Sequence, residues 1–237
     1  MSRADEFNRS TEKPAEKYIW WSSDNKCFVY WDGEAKEEVQ IGLPLKFIVL
    51  MERHTIKGFH DDSNSRIYSN EVEDITKDEL TVKSFEGGQI AKGQYGNIKD
   101  TVQKAGGHYA KSIYILTDDG KIWNVSLKGS AVFAWGEFTK KDKTQLITHS
   151  VSCTDATEEK KGKIEYSVPV FEYGKKIPKK AVEAADAAYD QLIESLSARA
   201  QSLAKQATKD SEEEEEDEIE TEEEEDHEMP DPAKIDF

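Results

Sequence analysis

The chain has 237 residues, 36% of them apolar, with 49 acidic and 32 basic side chains and a net charge of −17. That length predicts one main domain with appendages, no run of 18 apolar residues allows a transmembrane helix, and the polar stretch 1–16 lacks the apolar centre of a secretion signal. Cys27 and Cys153 stand far apart and supply neither a disulfide framework nor a zinc motif, so a reducing, cytoplasmic compartment is the expectation.

The charge is uneven. Residues 210–237 hold 17 acids and one base, Lys234, whereas the rest of the chain holds 32 acids and 31 bases. A polyanion of that kind cannot bury enough apolar surface to offset chain ordering, and 209–237 is expected to be a disordered acidic tail. Aromatic residues show the opposite bias: 21 of 23 precede Lys176. The predicted organisation is a flexible arm over 1–16, a body over 17–175, a long amphipathic helix over 176–208 and the tail.

Within the body the texture is that of strands. Lys26 to Trp31 reads as a short strand. Leu43 to His60 is a long β-rich run in which Phe47, Val49 and Met51 alternate against Ile48 and Leu50. A segment apolar on both faces suits a central strand, and Gly58 late in it marks a bulge or bend. Arg66 to Asn70 is a short extended piece. Leu80 to Phe85 places Leu80, Val82 and Ser84 on one face and Thr81, Lys83 and Phe85 on the other.

Gly87-Gly88 then turns the chain into a strand over Gln89 to Gln94. Tyr95 to Ala105 reads as a helix, with Ile98 and Val102 four apart and Gly106-Gly107 as its stop. Asp118-Asp119-Gly120 between two apolar runs, Tyr109 to Thr117 and Lys121 to Lys128, is a strong hairpin signal. Ser130 to Phe138 reads as one or two helical turns, and Thr144 to Ser152 and Lys163 to Phe171 as closing strands. Pro178 opens a helix with Val182, Ala185, Tyr189, Leu192, Leu196 and Leu203 at three- and four-residue intervals. Its apolar stripe packs on the body or, alternatively, against a second copy as a homo-oligomer. Overall the pattern is mainly β (α+β), compatible with an OB-like barrel carrying a C-terminal helix and tail.

Enzymatic chemistry is poorly supported. The glycines between Gly88 and Gly93 have a suggestive spacing, but Gln94-Tyr95 stand where a phosphate loop needs Lys and Ser or Thr. The five histidines form no paired motif, His60-Asp61-Asp62 reads as a polar loop, and no Gly-x-Ser-x-Gly elbow is present. The chain is therefore expected to be no enzyme and to need no cofactor or metal. What recurs instead is a base two residues from an aromatic on β segments: Lys57/Phe59, Arg66/Tyr68, Lys83/Phe85, Tyr109/Lys111 and Lys121/Trp123, with Lys92 close to Tyr95. Residues two apart share a strand face. Aromatic rings that stack on bases, beside cations that track phosphates, are how single-stranded nucleic acid is held. These twelve residues are the predicted nucleic-acid-binding set.

The acidic run closes on Ile235-Asp236-Phe237. This ending resembles the C-termini of bacterial and phage single-stranded DNA-binding proteins, although Asp236 stands where the usual bacterial form has Pro. The resemblance implies an OB-fold body and a tail whose terminal Phe and acids dock on replication and recombination proteins, with Ile235, Asp236 and Phe237 as the partner-binding residues. A second resemblance covers residues 18–138. Trp20-Trp21, Leu43-Pro44-Leu45, Thr55-Ile56-Lys57-Gly58, Ile67-Tyr68-Ser69-Asn70-Glu71-Val72, Val82-Lys83-Ser84-Phe85-Glu86-Gly87-Gly88, Gly106-Gly107-His108-Tyr109, Ser112-Ile113-Tyr114-Ile115 and Leu127-Lys128-Gly129 are similar to a family in tailed phages of Bacteroidetes hosts, including crAss-like phages. Together they imply non-sequence-specific binding of single-stranded DNA in phage replication or recombination, inside a bacterial host cytoplasm. An acidic virion or histone-like interaction protein without DNA binding is the alternative.

Overall fold

β-Branched and aromatic residues favour a pleated, half-buried backbone. In the computed structural model, which describes residues 13–200, they build eleven strands between Lys17 and Lys176. These are β1 Lys17–Ser22, β2 Cys27–Asp32, β3 Glu37–Ile41, β4 Leu45–His60, β5 Ser65–Ser69, β6 Glu79–Ser84, β7 Gly88–Gln94, β8 Gly107–Thr117, β9 Ile122–Lys128, β10 His149–Lys161 and β11 Ile164–Lys176. Helix α1 spans Tyr95–Lys104, α2 spans Ser130–Lys141, a 3-10 turn spans Lys143–Ile147, and α3 covers 179–200. Lys13–Leu192 form one compact unit. The expectations for 1–12 and for the tail lie outside the described residues.

The strands hydrogen-bond in the order β3-β2-β1-β9-β8-β4-β5-β6-β7, with β10 on β4 and β11 on β10. All pairs are antiparallel except β1 with β9. Among the described residues no ladder closes this sheet into a barrel. Three hydrogen bonds nonetheless join the end of β1 to β11: Trp21 Nε1 to the Ser167 carbonyl (3.0 Å), Ser167 N–H to Ser23 Oγ (2.7 Å) and Ser167 Oγ to the Ser23 carbonyl (2.7 Å).

The long strand β4 organises the sheet, as its two-sided apolar run predicts. One edge pairs with β8; the other pairs with β10 through Leu45–Phe47 and with β5 through Lys57–His60. Its strict alternation fails once. Val49 pairs with Ile115 and Met51 with Tyr114, so Leu50 is an extra residue in a bulge. The expected shared face of Phe47, Val49 and Met51 is thus broken, and every side chain after Leu50 changes face. Gly58 is no bulge. A side chain there would collide with the Gly106 carbonyl, so glycine permits the close approach of β4 to the end of α1.

Two cores result. The first gathers Ile19, Phe28, Phe47, Ile113, Ile115, Val125 and Leu127 from the strands and is filled by Trp135 and Phe138 of α2 and by Phe171 of β11. The Trp135 ring meets Phe171 edge-on at 4.9 Å. The second core joins Ile56, Ile67, Leu80 and Val82 to Ile98 and Val102, which α1 presents four residues apart.

Several boundaries differ from the sequence reading. β1 and β3 are absent from that reading, although Ser23-Asp24-Asn25 and Asp32-Gly33 bound them with turn residues. The span 144–147 is 3-10 rather than strand, since the Asp142 carboxylate accepts from the Thr144 N–H (3.1 Å) and starts a turn. Helix α2 reaches Lys141, longer than the expected one or two turns.

Candidate nucleic-acid interface

The second core dictates which side chains face out. β5 buries Ser65 and Ile67, so Arg66 and Tyr68 point away from it; β6 buries Leu80, Val82 and Ser84, so Lys83 and Phe85 do the same. On β4 the bulge at Leu50 sends Ile56 inward and Lys57 and Phe59 outward. Cross-strand register then aligns these positions. Lys57 lies opposite Tyr68, which lies opposite Lys83; Phe59 lies opposite Arg66, whose carbonyl accepts the Phe85 N–H at 3.0 Å. Six of the predicted residues therefore form one outward surface on three adjacent strands about 4.8 Å apart.

Exposure on this surface is unusual for its residue types. Phe59 and Tyr68 are each 46% exposed and Phe85 is 77% exposed, while Ile67, Leu80 and Val82 on the other face are at 0–2%. Lys57, Arg66 and Lys83 have no salt bridge among the described residues. Burial beneath this surface pulls the Lys57 amine below the usual lysine range, partly opposed by the Glu71 carboxylate.

One end of the surface is braced. The His60 ring contacts Ser63 Oγ through Nδ1 (2.7 Å), Ser63 Oγ reaches Ser65 Oγ (2.9 Å), and Ser65 Oγ accepts from the Glu86 N–H (3.2 Å). This chain ties the β4–β5 turn to the β6–β7 turn, so Phe59 and Phe85 sit on a fixed frame. His60 thus serves the polar loop it was expected to serve.

The remaining predicted residues lie elsewhere. Lys92 shares the outward face at the β7 edge, opposite Thr81, but is bound to Glu79 at 3.4 Å. Tyr109 and Lys111 pair with Ile56 and His54, which puts them on the inner face, opposite to Lys57 and Phe59. There Lys111 bonds Glu52 (3.1 Å), Glu52 also accepts from Trp135 Nε1, and Tyr109 OH meets His54 Nδ1 at 2.6 Å. Tyr95 packs beside Tyr109, ring centroids 6.1 Å apart, and against the second core. Burial raises the Tyr109 hydroxyl to about 12 and, with Lys111, depresses His54. Lys121 is held by Glu16 at 2.6 Å, and Trp123 packs on the first core with Lys17 Nζ 5.1 Å from its ring. These five therefore do not join the outward surface. Ile235, Asp236 and Phe237 lie outside the described residues.

His108 was missed by the sequence reading. It is exposed and lies opposite Lys57 on β8, extending the outward row by one strand. Only the register finds it, because no aromatic–base spacing marks it.

The surface is thus a braced platform of three rings and two exposed cations, Arg66 and Lys83, over the buried amine of Lys57, with the geometry to stack flat rings and neutralise an anionic backbone. Comparisons with protein-family models, with curated proteins and with solved structures found no match.

Proposed function

We propose that this protein binds single-stranded DNA without sequence preference and that the strand lies across the outward face of β4, β5 and β6. The observation that supports the reading is the interleaving of exposed Phe59, Tyr68 and Phe85 with Lys57, Arg66 and Lys83 on one face. None of these rings is part of the core behind the strands. Each offers a stacked base about 1–3 kcal/mol, and a π-face is common to all four bases, so the binding is sequence-tolerant. The cations follow the phosphates, with a salt slope near −0.7 per phosphate on a single strand.

The wider reading keeps the acidic tail as a partner-recruiting segment through Ile235, Asp236 and Phe237, acting in phage replication or recombination. A tethered polyanion of 17 acids also competes with DNA for the same cations. The wrap of strands around Trp135, bridged at its ends by Ser23 and Ser167, supports an OB-like arrangement that is nearly closed.

The test is anisotropy of fluorescent oligo-dT with the full chain, a 1–209 truncation and the triple variant Phe59→Ala/Tyr68→Ala/Phe85→Ala. Salt-sensitive binding that the truncation strengthens and the triple variant abolishes is the expected result. No binding by the full chain or the truncation at low salt overturns the proposal and leaves an acidic interaction protein as the account.

A further inference from the structure

Past Cys153, where β10 leaves β4, strands β10 and β11 continue as a two-stranded ribbon. Residues 157–165 are all exposed. The turn is made by Gly162 and Lys163, with Gly162 at φ 64, a left-handed conformation that favours glycine. The ribbon's acids are each engaged: Glu158 with Lys26, Glu165 with Lys160 (2.8 Å), and Glu159 with the Tyr166 hydroxyl (2.9 Å). Lys161 and Lys163 have no salt bridge among the described residues, and Ile164, the cross-strand partner of Lys161 beside the turn, is 70% exposed. The tip therefore carries two unpaired cations around one bare, β-branched apolar side chain.

We propose that this tip is a second DNA contact, made to duplex, and that the preferred substrate is a junction between single and double strands. The inference rests on the single-strand reading of the β4–β6 face. Three features favour duplex at the tip. No aromatic ring lies between 157 and 165, so there is no platform for unstacked bases. A two-stranded ribbon has the width that a duplex groove admits. An exposed Ile flanked by cations is the kind of wedge that enters between base steps while the cations hold phosphate. The layout fits two arms of one substrate. β10 runs antiparallel to β4, so the ribbon leaves the sheet at the Leu45 end, whereas the aromatic face lies at the Phe59 end. Fourteen residues of extended strand separate those ends, about 46 Å if straight.

The experiment compares full-length protein on oligo-dT, blunt duplex and duplex with a dT tail. Wild-type protein binds the tailed duplex about tenfold more tightly than dT, from effective concentration alone. Lys161→Glu/Lys163→Glu removes that advantage and leaves dT affinity unchanged, and Ile164→Ser lowers it about threefold. All three positions are exposed, and unchanged melting of each variant verifies folding. A tailed duplex bound no more tightly than dT, or an advantage that survives Lys161→Glu/Lys163→Glu, overturns the junction proposal while leaving single-strand binding intact. Failure of wild-type protein to bind dT overturns the single-strand reading itself, and the junction proposal with it.

Discussion

The two cores use aromatic residues in opposite ways. Around the first, Phe28, Phe47, Trp135, Phe138 and Phe171 are buried; the Trp135 ring meets Phe171 edge-on, and Phe138 lies tilted against Phe171. In the second, the buried members are all aliphatic, and the nearby rings of Phe59, Tyr68 and Phe85 stand in solvent on the far side of the same strands. Aromatics supply large buried areas when a fold needs stability. A region that leaves three of them half or more exposed on a braced sheet draws less stability from them than the first core draws from its rings.

Four substitutions test that contrast, from the largest effect to the smallest. Ile56→Asp puts a carboxylate into the second core, behind the face that carries Lys57 and Phe59. The expected outcome is loss of cooperative folding, read by circular dichroism and denaturant titration. A folded variant with full DNA affinity would break the assignment of faces. Trp135→Ala hollows the first core and costs about 3–5 kcal/mol of stability in urea unfolding. Any loss of DNA affinity should then track unfolding alone.

Phe85→Ala sharpens the comparison. It should weaken dT binding by about 1–3 kcal/mol in anisotropy and change stability by less than about 0.5 kcal/mol. A stability loss comparable to that of Trp135→Ala would mean that the ring is part of a core after all.

The smallest effect is pH dependence at the inner polar cluster. Burial depresses the folded-state value of His54 below its ordinary 6.5, Lys111 and Lys143 adding to this and Glu52 and Asp74 opposing it. The unfolded chain therefore binds the proton more readily. The stability contributed by neutral His54 is full above about 6.5 and falls as the pH drops through the depressed value. His54→Gln should flatten the slope of stability between pH 7 and pH 5, measured by urea unfolding. An unchanged slope would show that His54 is solvated and the cluster open.

Much of this arrangement was legible. Alternation in Leu80 to Phe85 assigns both faces of β6 because one face must enter a core. Asp118-Asp119-Gly120 marks the β8–β9 turn because Gly120 takes φ 77. Ile98 and Val102 mark the buried stripe of α1. The site was legible only in part, for a physical reason. Lys57/Phe59 and Tyr109/Lys111 show the same two-residue spacing, yet one pair faces solvent and the other faces Glu52 and His54. Spacing says that two side chains share a face and is silent on which face. Charge pairing is equally invisible along the chain: Lys121 meets Glu16 and Lys111 meets Glu52 across long separations, and such pairs remove a cation from a binding surface.

By itself the sequence determined the local facts: a β-rich, aromatic body of balanced charge, a 17-acid tail, most of the strand runs, the helix after Gln94, and the base–aromatic pairs. These depend on neighbours within a few residues, where backbone preference and periodicity act. The tertiary structure alone decided the parallel pairing of β1 with β9, the bulge at Leu50, and therefore which of the twelve residues share one open surface. Those outcomes depend on register between distant strands, and a one-residue slip in register exchanges the face that meets the core with the face that meets solvent.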